Sequence, residues 1–345
     1  MRWTFHERVR VPAGGVIPQF EGSMKNAIAF ALISAGMLCA QAPPAAPAKP
    51  DSDAVKALIE KAKKIGGSRW AEEAHFFCEA PRANSPSDPP IEPTKIFDNV
   101  YVIGNQGTVA VVIKTSAGLL MIDALSPDQT DTQLLSGFQK LGLDPSMVKI
   151  IVVGHGHADH FGGSAYFQEH FGTKVYISEA DWKVMEQPPA RGGRGGPAAP
   201  LPKHDQLLVE GKPVVLGDFK LTPVAVPGHT PGSMGFIFPV KDNGKTRMAA
   251  MYAGTVLTPG FVSDEGLAQY AKSVPHFEAE TKKAKVEVEL QNHPLMDSIQ
   301  PKLDMLKTRK PGDPNPFVVG RGEYQKFLEV MAACTDVNIA RRKGL

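Results

Sequence analysis

Val148–Val153 is a run of β-branched apolar residues interrupted only by Lys149, and it stops at Gly154. His155, His157, Asp159 and His160 follow within six positions. A strand that ends this way projects several polar side chains from a rigid sheet into one open space. The imidazoles supply neutral nitrogen donors and the carboxylate a hard oxygen, a mix suited to Zn2+. Solvated loop residues are the competing reading. Three histidines and an acid at this spacing, in a chain with ten histidines in all, argue against it.

The rest of the chain supplies a sheet for such a strand. "KIFDNVYVIG", "TVAVVIKTS" and "GLLMIDAL" are short β-type segments divided by turn residues. A helix is expected over Gln129–Leu141, and helix and strand then alternate through "SAYFQEHF", "KVYIS" and "EADWKVM". Residues 187–204, rich in Gly and Pro and carrying Arg191 and Arg194, read as a long loop. Strands return in "KPVVLGDFKLTPVAVPG", "SMGFIFPV" and "RMAAMYAG", and two helices are expected near Ser298–Lys307 and Gly322–Ala340. The order predicts an α/β fold, a four-layer αβ/βα sandwich with one continuous core and a helical C-terminal extension.

The N-terminus reads as targeting sequence. Met24–Ala42 has a lysine, an apolar run and then small residues, the pattern of a secretory signal peptide starting at Met24. The run is shorter than the roughly 20 residues a membrane span needs. Residues 1–42 are therefore expected to be an extension and signal peptide, 43–53 a Pro/Ala linker, and 54–345 one domain. The expected location is periplasmic or secreted. Two cysteines, Cys78 and Cys334, remain after cleavage; in an oxidising compartment a disulfide between them is preferred over two buried thiols. The net charge of +2 and the lack of a basic, aromatic-interleaved stripe give no footprint for a nucleic-acid partner.

Four ligands on six residues cannot complete two metal shells. His229 in "AVPGHTPGS" and His293 in "VELQNHPL" each sit after a strand-like run. A lone histidine is ordinarily a satisfied polar residue, but these positions lie downstream of a metal motif. The series HGHADH, PGHTPGS, YAGT and NHP resembles the metallo-β-lactamase fold superfamily over residues 95–300. The resemblance implies that His155, His157 and His229 hold one zinc and Asp159, His160 and His293 a second. It also implies that Asp123, at the end of "LLMID", supports the ligand loop or a ligand histidine.

Many members carry a metal-bridging aspartate at the YAGT segment, and two β-lactamase subclasses carry a cysteine there. This chain has Thr255, which makes it most similar to subclass three of the metallo-β-lactamases. Thr255, Leu257 and Thr258 fall where the resemblance places substrate contacts, although Leu257 stands where a second hydroxyl is often found. The implied activity is opening of a β-lactam amide by a metal-activated water that Asp159 orients. A lactonase or esterase, or a phosphate- or sulfate-ester hydrolase, is the first alternative. A zinc-binding protein without turnover is the alternative of another class. Expected export argues against glyoxalase-like thioester hydrolases and RNA-processing nucleases, which work inside cells.

Overall fold

The computed structural model describes residues 50–81, 85, 87–186, 199–257, 262–296 and 299–345. The expected signal peptide, most of the linker, Arg191, Arg194 and Thr258 lie outside them.

Two helices come first, α1 (Asp53–Gly66) and α2 (Ala71–Cys78). Ser52 caps α1 by accepting the Val55 N–H, and Val55, Ile59, Ala62 and Gly66 form its buried stripe. Asp51, in the segment expected as linker, pairs with Arg341 at 2.7 Å.

Next come β1 (Thr94–Phe97), β2 (Val100–Gly104), β3 (Val109–Thr115) and β4 (Gly118–Ile122). They are followed by α3 (Ser136–Lys140), β5 (Val148–Val152), α4 (Ala158–Phe161), α5 (Ser164–Phe171), β6 (Lys174–Ser178), α6 (Glu179–Met185) and β7 (Gln206–Leu208). The seven strands form one sheet in sequence order, antiparallel from β1 to β4 and parallel from β4 to β7.

The second sheet contains β8 (Val214–Leu216), β9 (Phe219–Ala225), β10 (Met234–Asp242), β11 (Lys245–Tyr252) and β12 (Val288–Leu290), in the order β12-β11-β10-β9-β8. The helix α7 (Asp264–Lys283) crosses between β11 and β12, which pair in parallel. Two helices close the chain, α8 (Ile299–Thr308) and α9 (Arg321–Lys343).

The alternation of side chains along the strands builds the layers. Val109, Val111 and Ile113 of β3 meet Phe236, Phe238 and Val240 of β10 between the sheets. Ala110 and Val112 point the other way, toward Leu134, Phe138 and Phe167. Ile237, Ala250 and Tyr252 on the far face of the second sheet pack with α1, α2, α7 and α9. The four layers are as expected, but the single continuous core is corrected to three apolar layers. Two-sided strands bury both faces and keep the side chains of each face apart.

Two further differences are local. The helix expected over Gln129–Leu141 is broken into a tight turn at Pro127–Gln129, a wide π-type turn at Thr130–Leu135, and α3. The helix α2 carries no expectation from sequence; Cys78 at its end is disulfide-bonded to Cys334 of α9. That bond fastens the N-terminal helices to the C-terminal one within the same helical layer.

Candidate metal centre

The ends of β4, β5, β9 and β12 gather where the two sheets meet. Met234 N–H at the start of β10 donates to Gly154 O after β5, and Val109 N–H of β3 donates to Asn292 O after β12. Gly154 sits too close to its neighbours for a side chain. An added Cβ would collide with Ala253 and come within 3.4 Å of Asp123 Oδ1. The strand therefore delivers His155 and His157 against the second sheet.

Two groups of donors result. Nε2 of His229 lies 3.1 Å from His155 Nε2 and 3.1 Å from His157 Nδ1. Nε2 of His160 lies 2.9 Å from His293 Nε2, and Asp159 Oδ2 is 3.2 Å from the former and 3.7 Å from the latter. His155 is also within reach of the second group. The six residues expected as ligands are thus brought into one place, as two trios that abut at His155.

The partners of the other ring nitrogens decide what these trios can hold. Nδ1 of His155 lies 2.6 Å from Ala253 O, Nδ1 of His229 2.6 Å from Val256 O, and Nδ1 of His293 2.8 Å from Gly107 O. A carbonyl only accepts, so each Nδ1 carries the proton and each Nε2 presents a bare lone pair. Lone pairs that face one another at about 3 Å repel unless a cation lies between them. Donors held 2.0–2.1 Å from one tetrahedral zinc are about 3.3 Å apart, so the spacing fits that ion.

Charge is arranged to match. Burial pushes His155, His157 and His229 below the usual histidine range, and for His155 and His229 neighbouring histidines push further. Burial, then the proximity of His160, brings His293 down to about 4. Burial also disfavours the charged His160, but Asp159 and Asp123 outweigh it and hold the ring at about 10. Burial alone would raise Asp159; the charge of His160 and its hydrogen bond dominate and hold the carboxylate well below its ordinary range.

Asp123 takes a left-handed backbone conformation, φ 60°, at the end of β4. Its Oδ1 accepts the Gly154 N–H at 2.7 Å, and its Oδ2 is 2.7 Å from His160 Nδ1 and 2.9 Å from Asn292 Nδ2. It therefore supports both the loop that carries the donors and one of the donor histidines. Two of the residues expected to contact substrate are buried. Thr255 is fully buried and Leu257 lies in the apolar layer beside α7 and α9, because the chain after β11 turns inward beneath the site.

Sequence reading missed Asp181, Asn292 and Thr108. Asn292 donates to Asp123 Oδ2 and Ala253 O, and Thr108 Oγ1 lies 3.4 Å from both Asp159 Oδ2 and His293 Nδ1. Asn292 stands in the motif NHP and could have been found there; Thr108 follows only a turn-like Gly. His204 stacks on Trp182 instead of joining the donors, and His75 and His276 pair with Glu79 and Glu210.

Comparison with known proteins agrees with the geometry. Residues 103–242 match the family model of the metallo-beta-lactamase superfamily. BJP-1, a subclass B3 metallo-beta-lactamase of Bradyrhizobium japonicum, superimposes with a TM-score of 0.65 at 30% identity, over 74% of this chain and 96% of that one. The chain belongs to the metallo-β-lactamase superfamily. As a member it is a hydrolase with a histidine-rich metal site.

The metallo-beta-lactamase FEZ-1 from Legionella gormanii shares the fold, with a TM-score of 0.66 at 24% identity over 75% of this chain and 99% of that one. Hydroxyacylglutathione hydrolase GloC of Haemophilus influenzae is 32% identical over 120 residues, 33% of this chain and 53% of that protein. The chain thus spans about half the length of that curated relative.

Proposed function

We propose that the protein is an exported dinuclear zinc hydrolase that opens β-lactam amides. The observation that carries the reading is the pair of donor trios, built from five histidines and one aspartate with Thr255 where a bridging aspartate or a cysteine would stand. Its likeness to the B3 enzyme BJP-1 along nearly the whole of that chain supports the same substrate class. Export is supported by the apolar segment after Met24 and by the Cys78–Cys334 disulfide, which suits an oxidising compartment.

His155, His157 and His229 would hold one ion and Asp159, His160 and His293 the other. A zinc pair held there supplies Lewis acidity toward a carbonyl and lowers the pKa of water toward neutrality. The chain's own part is positional and electrostatic. Carbonyl oxygens of Ala253, Val256 and Gly107 fix the tautomers of His155, His229 and His293. Asp159 stays ionised and offers its carboxylate to orient a water's proton. No serine nucleophile is called for, and the sequence contains no G-x-S-x-G elbow.

Hydrolysis of a thioester or ester is the second reading, favoured by the GloC likeness over 120 residues. The deciding experiment measures zinc content and nitrocefin turnover on mature protein, with chelated and zinc-restored controls. Chelator-sensitive turnover with two zincs per chain is expected. Two zincs without nitrocefin turnover, but with turnover of a thioester, lactone or ester, would move the assignment to the second reading.

A further inference from the structure

Asp181 lies in the first turn of α6, is fully buried, and belongs to neither donor trio. Its Oδ2 accepts the Gly156 N–H at 2.7 Å and the Thr230 hydroxyl at 2.8 Å, and its Oδ1 accepts the Gly232 N–H at 2.9 Å. Gly156 separates His155 from His157, while Thr230 and Gly232 lie in the turn that carries His229. One carboxylate therefore joins the loop after β5, in the first sheet, to the turn after β9, in the second.

The packing around it is close. A Cβ on Gly232 would collide with Ser178 Oγ and lie 2.7 Å from Asp181 Cγ, and one on Gly156 would lie 3.2 Å from Asp181 Cβ. Three donors converge on the group, so it must be an acceptor on both sides. An amide in its place would turn its NH2 toward either Gly156 N–H or Gly232 N–H, donor against donor. The second trio has separate supports: Asp123 on His160 and Gly107 O on His293.

We propose that Asp181 is a positioning residue for the first metal group, fixing the spacing of His157 and His229 independently of the second. The proposal rests on the reading that each trio holds its own ion. Two single-site backgrounds separate the groups: H293A keeps the first trio intact, and H157A keeps the second. D181N is introduced into each, and zinc is titrated against a chromophoric chelator, with circular dichroism and thermal melting to follow folding.

The expected result is a 10–100-fold weaker affinity in the H293A background, the usual cost of losing an outer partner of a ligand, and less than threefold change in the H157A background. Equal weakening in both, or none in either, overturns the proposal. If neither background binds zinc with Asp181 intact, the two-metal reading fails and the proposal fails with it. Should D181N not fold, T230V removes one of the three donors and leaves the carboxylate. It is then expected to weaken zinc binding several-fold in H293A alone, and an equal or absent effect overturns the proposal.

Discussion

His160 Nδ1 lies 2.7 Å from Asp123 Oδ2, and both side chains are fully shielded from solvent. The same carboxylate holds the Gly154 N–H, so one residue fixes where the ligand loop starts and how one of its rings is turned. Asp123→Asn keeps the size of the side chain, and Asn tolerates the left-handed backbone found there. Zinc affinity at the second group is expected to fall 10–100-fold, with turnover falling alongside. Competition titration with a chelator measures the first, and steady-state kinetics the second.

Removing the metal leaves the Nε2 lone pairs of His155 and His229 facing each other at 3.1 Å with nothing between them. Exhaustive chelation is expected to abolish hydrolysis and lower the melting temperature. Ligand linkage gives about 2.7 kcal/mol of lost stability when zinc had been at a hundred times its dissociation constant. His157→Ala is expected to lose hydrolysis together with the zinc of its own trio, leaving at most one zinc per chain. Retained turnover in zinc-stripped His157→Ala protein would contradict a metal-dependent reaction.

The disulfide joins cysteines 256 positions apart, yet it lies in the helical layer and touches no donor. A double Cys78→Ala/Cys334→Ala variant is expected to lose about 2–5 kcal/mol of stability. Its zinc stoichiometry should be unchanged. Denaturant unfolding and metal analysis on the same preparation check both halves of that statement.

Burial raises Tyr252, Tyr270 and Tyr324 well above the ordinary tyrosine range. An unfolded chain ionises these phenols near pH 10, whereas the folded chain keeps them protonated. The unfolded state therefore binds fewer protons above pH 10, and stability falls as pH rises from there. In a rapid alkaline jump, tyrosinate absorbance of these three is expected to appear only with unfolding, as a phase that follows the loss of circular dichroism. Immediate ionisation of all six tyrosines would contradict their burial.

Much of the site was legible because its donors carry their chemistry in their residue type. His155, His157, Asp159 and His160 sit close together in sequence, and His229 and His293 follow strand-like runs. Asp181 was not legible. It stands three residues after Ser178, the spacing of a helix-capping box, and Ser178 does accept its N–H. Nothing local indicates that its carboxylate instead reaches Gly156 and Gly232, 25 and 51 positions away.

The burial of Thr255 and Leu257 was not legible either. A motif fixes their place in the chain, but their burial depends on how the chain leaves β11 and meets α7 and α9. Strand alternation, the layered α/β order and the identity of the donors follow from sequence, since residue type and periodicity are local properties. The closeness of the two trios, the tautomers set by distant carbonyls and the role of Asp181 were decided only by tertiary structure. Hydrogen bonds between segments far apart in the chain depend on distances that exist only once the two sheets have packed.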